Sequence, residues 1–451
     1  MFNGMKRGLP SVIVILVLSL ISFIVYRTTY GKKPLNVLII TIDTLRADHL
    51  GAYGYSRKIS PALDKFAAGA TLFENAYCVM PTTVPSHASL FFSTWPRIHG
   101  SKSNFMKISN RSLQFLPVSF RNAGYRTAAV VSVHHLGERF RPFGGFEMID
   151  FPDDDRASEV TLKIAQSWLR HRQKEKYFFW LHLWDPHSPY KLHPEFMERI
   201  NPAFQNNFKR KHSFHDPGFY DQATLKKMID LYDNEIAYMD HHLGRFLDDL
   251  QASRALDNTM VVVASDHGES LAELARSHDY AFDHGEFLFD HQIRIPLIIK
   301  MPKGNAGRIR DTVSMIDIMP TVLKAAGLPL PATVSGNSFL PLLYSQPLSH
   351  ATPLVFLQRR EFRTPPRPFL TDPQFAVREQ TYKLIYNGKT GETMLYRNDA
   401  EDHVAFDDRA SGLLEKHLKQ WLQKTEKFAG TKGETVSEQE AETLRSLGYV
   451  Q

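Results

Sequence analysis

Leu35-Asn36-Val37-Leu38-Ile39-Ile40-Thr41-Ile42 is a nearly continuous apolar run of strand length. Such a run suits a strand covered on both faces, as in a parallel sheet with helices above and below it. Residues 126–133, 177–183, 259–264 and 296–300 read the same way. Between them the apolar period lengthens to that of a helix at 157–172, 223–252 and 317–326. In the long segment Ile229, Tyr232, Ile236, Met239, Leu243 and Phe246 recur at three- and four-residue steps, an apolar stripe. Ser60-Pro61 reads as an N-cap with proline at the first helical position, opening a helix over 61–69. A further helix is expected over 84–93. Strands alternating with helices predict an α/β fold with a mostly parallel central sheet flanked by helices. The stretch 191–222 is polar and aromatic and reads as an excursion over one face. From Pro329 to Pro373 prolines are frequent and periodic runs few, which marks the passage to a smaller C-terminal α+β subdomain. There 375–386 reads as strand and 413–428 as helix. The expected division is 1–33, 34–345 and 346–451, with no internal repeat.

Composition adds little to this picture. The chain has 451 residues, 43% hydrophobic and 23% charged, long enough for one large domain and a smaller one. A net charge of +6 fits an anionic substrate or an anionic membrane surface, and equally plain solubility. No RNA-binding motif, zinc-finger spacing or sustained basic stripe is present, so no nucleic-acid partner is expected. The single cysteine, Cys78, allows no internal disulfide, and its apolar and aromatic neighbours mark it as core packing.

The N-terminus changes the picture more. Lys6 and Arg7 precede Leu9 to Tyr26, an apolar run without a charge. A hydrocarbon core takes about 20 such residues. The run lacks the small-residue cut site of a cleaved signal peptide. A single-pass membrane anchor over 1–33 is therefore expected, with the N-terminus cytoplasmic and the catalytic domain on the non-cytoplasmic side. Arg27, Lys32 and Lys33 weaken that charge asymmetry.

Candidate chemistry gathers where apolar runs end. Asp43 follows the first run, and Asp266-His267-Gly268-Glu269 follows the run at 259–264. In open α/β sheets ligands bind beyond the carboxyl ends of strands. One such aspartate also serves as a helix cap, but two strand ends together point to a metal site. Thr83 stands in the proline-rigid stretch Pro81-Thr82-Thr83-Val84-Pro85-Ser86-His87, at the start of an expected helix. A divalent ion held by hard O and N ligands would lower the pKa of its hydroxyl. His187 lies on a proline loop after 177–183, where it would donate to an oxyanion or protonate a leaving group. His284 in Asp283-His284-Gly285-Glu286 and His135 after 126–133 are further candidates, each also readable as an ordinary loop histidine. His182 reads as a satisfied core residue.

These stretches carry a family resemblance. Residues 36–51, Pro85-Ser86-His87-Ala88-Ser89-Leu90, Asp185-Pro186-His187, Ser265-Asp266-His267-Gly268-Glu269, Arg294-Ile295-Pro296-Leu297, Asp317-Ile318-Met319-Pro320-Thr321 and the terminal 444–449 resemble the sulfatase family of the alkaline phosphatase superfamily. The resemblance runs from about 35 to 345 and more loosely to the end. It implies an alkaline phosphatase-like fold.

The departures bear on the chemistry. Sulfatases of the family use Cys or Ser, x, Pro, x, Arg, with the first residue oxidised to formylglycine. Thr83 stands at that first position and His87 at the arginine. Oxidising a threonine yields a ketone, so no formylglycine is expected. Val133 replaces one anion-binding lysine, the lysine after the later His-Gly is not evident, and Thr44 stands where many sulfatases have a second aspartate ligand. What remains resembles the phosphodiesterases and phospho-group transferases of the superfamily. Asp43, Thr83, Asp266 and His267 then hold one divalent metal ion, with Zn or Mn favoured over Ca by the imidazole ligand. Thr83 is the nucleophile, while His87, His135, His187 and His284 complete the catalytic set. The resemblance leaves three readings: a phospho-ester hydrolase or transferase at the cell envelope, a sulfuric ester hydrolase, and a metal-binding pseudoenzyme that binds a glycan or protein partner. The substrate is an anionic ester, with envelope lipid or polysaccharide in view.

Overall fold

The computed structural model describes residues 33–172, 174–208, 221–278, 280–348, 354–361, 370–397, 400–429 and 434–446. Contacts divide the chain into Met1–Leu35 and one compact unit, Asn36–Gln451. All that follows concerns the second. Among the described residues no helix is long and apolar enough to cross a membrane. The expected single-pass anchor, and with it the membrane-anchored localisation, is therefore corrected. The run Leu9 to Tyr26 that prompted it lies outside the described residues.

The elements of the main sheet follow in chain order: β1 (Asn36–Ile42), α1 (Pro61–Ala68), β2 (Thr71–Tyr77), α2 (Thr83–Phe92), β3 (Arg126–Val130), α3 (His134–Phe140), β4 (Met148–Asp150), α4 (Ser158–Arg170), β5 (Tyr177–Leu183), α5 (Gln222–Ala252), β6 (Thr259–Ser265), β7 (Arg294–Lys300), β8 (Gly307–Ser314) and α6 (Ile318–Ala325). The sheet runs β4-β3-β5-β1-β6-β7-β2-β8. Only β7 is antiparallel to its neighbours, so the fold class is the expected α/β with a mostly parallel sheet. The central trio β5, β1 and β6 is wholly buried apart from Asn36, which is why these segments read as unbroken apolar runs. Ile42 pairs with Leu183 on one side and Ser265 on the other. The three strands therefore end level, and Asp43, Trp184 and Asp266 leave the sheet side by side.

A second sheet is antiparallel throughout: β9 (Val355–Gln358), β10 (Gln374–Arg378), β11 (Tyr382–Asn387), β12 (Thr393–Arg397) and β13 (Ala400–Val404). Helix α7 (Asp408–Ala429) packs Leu414, Leu418 and Trp421 on Phe375, Val377, Leu384 and Leu395 of that sheet, giving the expected α+β subdomain. Within it 375–386 is a hairpin rather than one strand, because Glu379 to Thr381 turn the chain. The expected strand 126–133 stops at Val130. Beyond it Val131 N–H donates to Asp150 O, and His134 already begins α3. Strands β2 and β8 escape a hydrophobic pattern because Glu74, Asn75 and the polar start of β8 face outward at the sheet edge.

Candidate active site

The level strand ends bring four predicted residues together. Asp43, Thr83, Asp266 and His267 are all fully buried. Thr83 is the first residue of α2, and extended backbone at Thr82 sets it there. Two bonds fix that helix end: Val84 N–H donates to Asn104 Oδ1 (2.9 Å), and Ser86 Oγ donates to the Asp266 carbonyl (2.6 Å). His267 Nδ1 lies 2.9 Å from the Gly268 carbonyl, so Nδ1 carries the proton and Nε2 keeps its lone pair. That Nε2 is the shared vertex of the site. It lies 3.4 Å from Thr83 Oγ1, 3.4 Å from Asp266 Oδ2 and 3.7 Å from Asp43 Oδ1. Gly268 fits because a Cβ there would come within 2.2 Å of the His291 carbonyl, against which this segment is bonded.

These residues fit a metal ion. The ligand atoms of Asp43, Asp266 and His267 lie within 4.8 Å of one another. Neither Asp43 oxygen, nor Asp266 Oδ2, has a hydrogen-bond partner among the described residues. Burial pushes both carboxyls well above their usual range, and for Asp43 the nearby Asp266 and Glu269 add to it. Two dry carboxylates side by side call for a cation. A second cluster, His87, His182 and Asp266, is as compact but fits less well. His87 Nδ1 donates to the Thr83 carbonyl (2.8 Å), and its Nε2 accepts from Thr41 Oγ1 (2.9 Å). The Thr41 hydroxyl itself accepts from Trp180 Nε1 (2.9 Å). Both nitrogens of His87 are thus engaged within the protein, and burial lowers its pKa to about 4. It braces the first turn of α2.

The remaining predicted histidines gather around this centre. His284 lies 4.3 Å from His267 and 5.2 Å from His187 between ring centroids, and its Nδ1 is 3.4 Å from Glu269 Oε1. His187 stacks on Trp184 at 3.7 Å and donates from Nδ1 to the Ser188 carbonyl. His135, on α3, is held neutral by burial, with Arg139 and His187 adding to the effect. Burial likewise lowers His187 and His267 to about 3 and pushes Glu269 up. The ring of imidazoles is neutral before an anion binds. Asp185 is spent otherwise: its Oδ2 accepts from Ser158 N–H (2.7 Å) at the start of α4.

Sequence reasoning missed several neighbours. Asn104, whose Oδ1 holds the α2 end, leaves its amide Nδ2 buried without a hydrogen-bond partner among the described residues. Arg360, just after β9, pairs with Glu286 and packs by Gly285 and Thr82, so a cation does lie near the site. Lys102 pairs with Glu361 at 3.0 Å. His182, expected from the sequence to be a satisfied core residue, is buried beside Asp43 with neither nitrogen hydrogen-bonded among the described residues, which corrects that reading. No local pattern marks these residues, because each is brought in from a separate segment.

The profile of the sulfatase family matches residues 35–328, and that of the N-sulphoglucosamine sulphohydrolase C-terminal region matches 277–427. The chain belongs to the sulfatase family. An arylsulfatase of Clostridium perfringens is 26% identical to this family member over 388 residues, covering 69% of this chain and 78% of the relative. Among solved structures, one in complex with its substrate D-glucosamine-2-N,6-O-disulfate superposes with a TM-score of 0.71 at 19% identity, covering 88% of this chain and 98% of that one. The phosphonate monoester hydrolase of Agrobacterium radiobacter gives 0.72 at 17%, covering 89% and 99%. The fold is thus shared by enzymes of sulfur and of phosphorus esters, and the site residues must separate them.

Proposed function

We propose that this sulfatase-family chain is a metal-dependent hydrolase or transferase of a singly charged phospho-ester, with Thr83 as the nucleophile. The observation that carries the reading is Thr83 Oγ1 at 3.4 Å from His267 Nε2, beside two buried carboxylates without hydrogen-bond partners on their facing oxygens. Asp43, Asp266 and His267 would hold the ion, with Thr83 next to it. Zn or Mn suits that donor set, and would supply Lewis acidity that lowers the pKa of the Thr83 hydroxyl.

Thr83 Oγ forms the bond to phosphorus as the bond to the leaving alcohol breaks. The Thr83 proton passes to the imidazole of His187 or His284, and the imidazolium so formed gives it to the departing oxygen; we assign the transfer to these two groups. Water or an acceptor hydroxyl then attacks the same phosphorus and releases Thr83. The amide of Asn104, held by Val84 N–H, offers a donor to a non-bridging oxygen. His87 acts by bracing Thr83. Formylglycine can expel its bound group from a carbon bearing two oxygens, whereas Cβ of Thr83 bears one. A group on Thr83 leaves by attack at phosphorus or sulfur, and in-line attack at phosphorus is the ordinary route of phosphoryl transfer. With Arg360 paired to Glu286 and the histidines neutral, fixed positive charge is low, which favours one negative charge on the substrate.

The arylsulfatase relative favours a second reading, sulfuric ester hydrolysis, since a sulfate ester also carries one charge. The test compares bis-nitrophenyl phosphate, a nitrophenyl phosphonate and nitrophenyl sulfate on metal-loaded protein, each with Thr83→Ala. The expected outcome is turnover of the phosphorus esters that falls by about 10³-fold or more in the variant. Turnover of the sulfate alone sinks the phospho-ester reading. Bound metal without turnover of any ester, with or without an added alcohol acceptor, moves the chain to a binding role.

A further inference from the structure

His182 is a residue that the core does not need. It lies in β5 opposite Thr41 of β1, fully buried, where an apolar side chain would pack without cost. Neither ring nitrogen has a hydrogen-bond partner among the described residues. Leaving a buried polar group unpaired costs about 1–3 kcal/mol. Its nearest ring neighbour among the described residues is His87, at 5.2 Å between centroids. An imidazole carries at least one N–H, and the carboxylate nearest to it is Asp43. Its Nε2 stands 3.4 Å from Asp43 Oδ2, while the other oxygen, Oδ1, is the one that faces His267 Nε2 at 3.7 Å. The two oxygens of Asp43 thus divide between His182 and the metal side.

We propose that His182 is a positioning residue of the metal centre: its Nε2–H holds Asp43 Oδ2 and so aims Oδ1 at the ion. A small rotation of the carboxylate closes the bond. Because β1 and β5 are paired in register at the centre of the sheet, the ring cannot retreat, and the carboxylate adapts to it. The inference rests on the proposed metal site and adds to it a residue outside the ligand set. Groups behind metal ligands are commonly worth 10–100-fold in affinity.

The test uses the chain stripped of metal by chelation. Zn²⁺ and Mn²⁺ affinities are measured by competition with a chromogenic chelator, and thermal unfolding is followed with and without metal. His182→Leu should bind metal roughly 10–100-fold more weakly. Its metal-free unfolding temperature should equal or exceed that of the wild type, since an unpaired polar group has gone. His182→Gln, which keeps an N–H at a similar reach, should restore most of the affinity. A merely structural role predicts the opposite pattern, with metal-free stability lost in His182→Leu and affinity unchanged. Wild-type affinity in the leucine variant, or an equal loss in both variants, overturns the inference while leaving the metal site standing. Absence of metal binding by the wild type overturns the site and the inference together.

Discussion

Thr44 sits at φ +51°, a left-handed conformation that costs a β-branched residue about 1–2 kcal/mol. That turn lays the chain just after Asp43 against Asp266: Thr44 N–H donates to Asp266 Oδ1 (3.3 Å), and Thr44 O accepts from the buried Tyr232 hydroxyl (2.7 Å). The same hydroxyl accepts from Arg46 N–H (2.9 Å), closing a clamp around the turn. Tyr232→Phe should lower stability by about 1–3 kcal/mol in denaturant unfolding and weaken metal binding as the turn relaxes. Unchanged metal affinity in that variant would show that the turn holds without the clamp. Gly268→Ala should be worse than its size implies, since the new methyl meets the His291 backbone carbonyl rather than a movable side chain. We expect loss of bound metal on purification, checked by elemental analysis. At this scale Asp43 and Asp266-His267 were legible as candidates because each follows a strong apolar run, and Thr83 because it lies in a proline-rich stretch at the start of a helix. Asn104, His182 and Arg360 were not, since nothing beside them in the chain tells what they meet.

At the scale of one element, α5 was read as an apolar stripe, and the stripe packs as expected, with Ile236, Met239 and Leu243 fully buried. Several of its polar residues are buried too, and they are spent on neighbouring segments. Asp233 takes His49 Nδ1 and Tyr55 (2.7 and 2.6 Å), Asn234 bonds the His193 backbone, and Asp240 accepts from Ala62 and Leu63 N–H at the start of α1. Glu235 bonds Lys191 N–H, on the stretch that follows His187. The helix thereby ties both loops of the site to one rigid rod. Burial raises Glu235 and Asp240 to about 7, from ordinary values of 4.5 and 3.8. Each is protonated in the folded chain where the unfolded chain has already ionised. Their contribution is fully present below the unfolded pKa and is lost as pH rises toward about 7. Thermal unfolding between pH 4 and pH 7 should therefore show a share that falls with pH. Glu235→Gln should flatten that slope, and an unchanged slope would assign the effect to other groups.

For the whole molecule, an ion at the proposed site would be the largest lever. Two buried carboxylates face each other across His267, so chelation should lower the unfolding temperature. Re-adding Zn²⁺ or Mn²⁺ should restore it, by about 2.7 kcal/mol when free metal stands at a hundred times its dissociation constant. Calorimetry with and without chelator reads this directly, and identical traces would argue against any ion at the site. The two sheets bear on the same centre. Asp43 follows β1 and Asp266-His267 follow β6, while the segment after β9 brings Arg360 beside Gly285.

The sequence by itself carried the α/β class with its mostly parallel central sheet and the resemblance to the sulfatase family. These are properties of local pattern and of side-chain chemistry. Only the tertiary structure decided that His87 is fully engaged by Thr83 and Thr41, that His182 faces Asp43, and that α5 holds the site's loops. Those outcomes depend on partners from distant segments, in contact only once the sheet has closed.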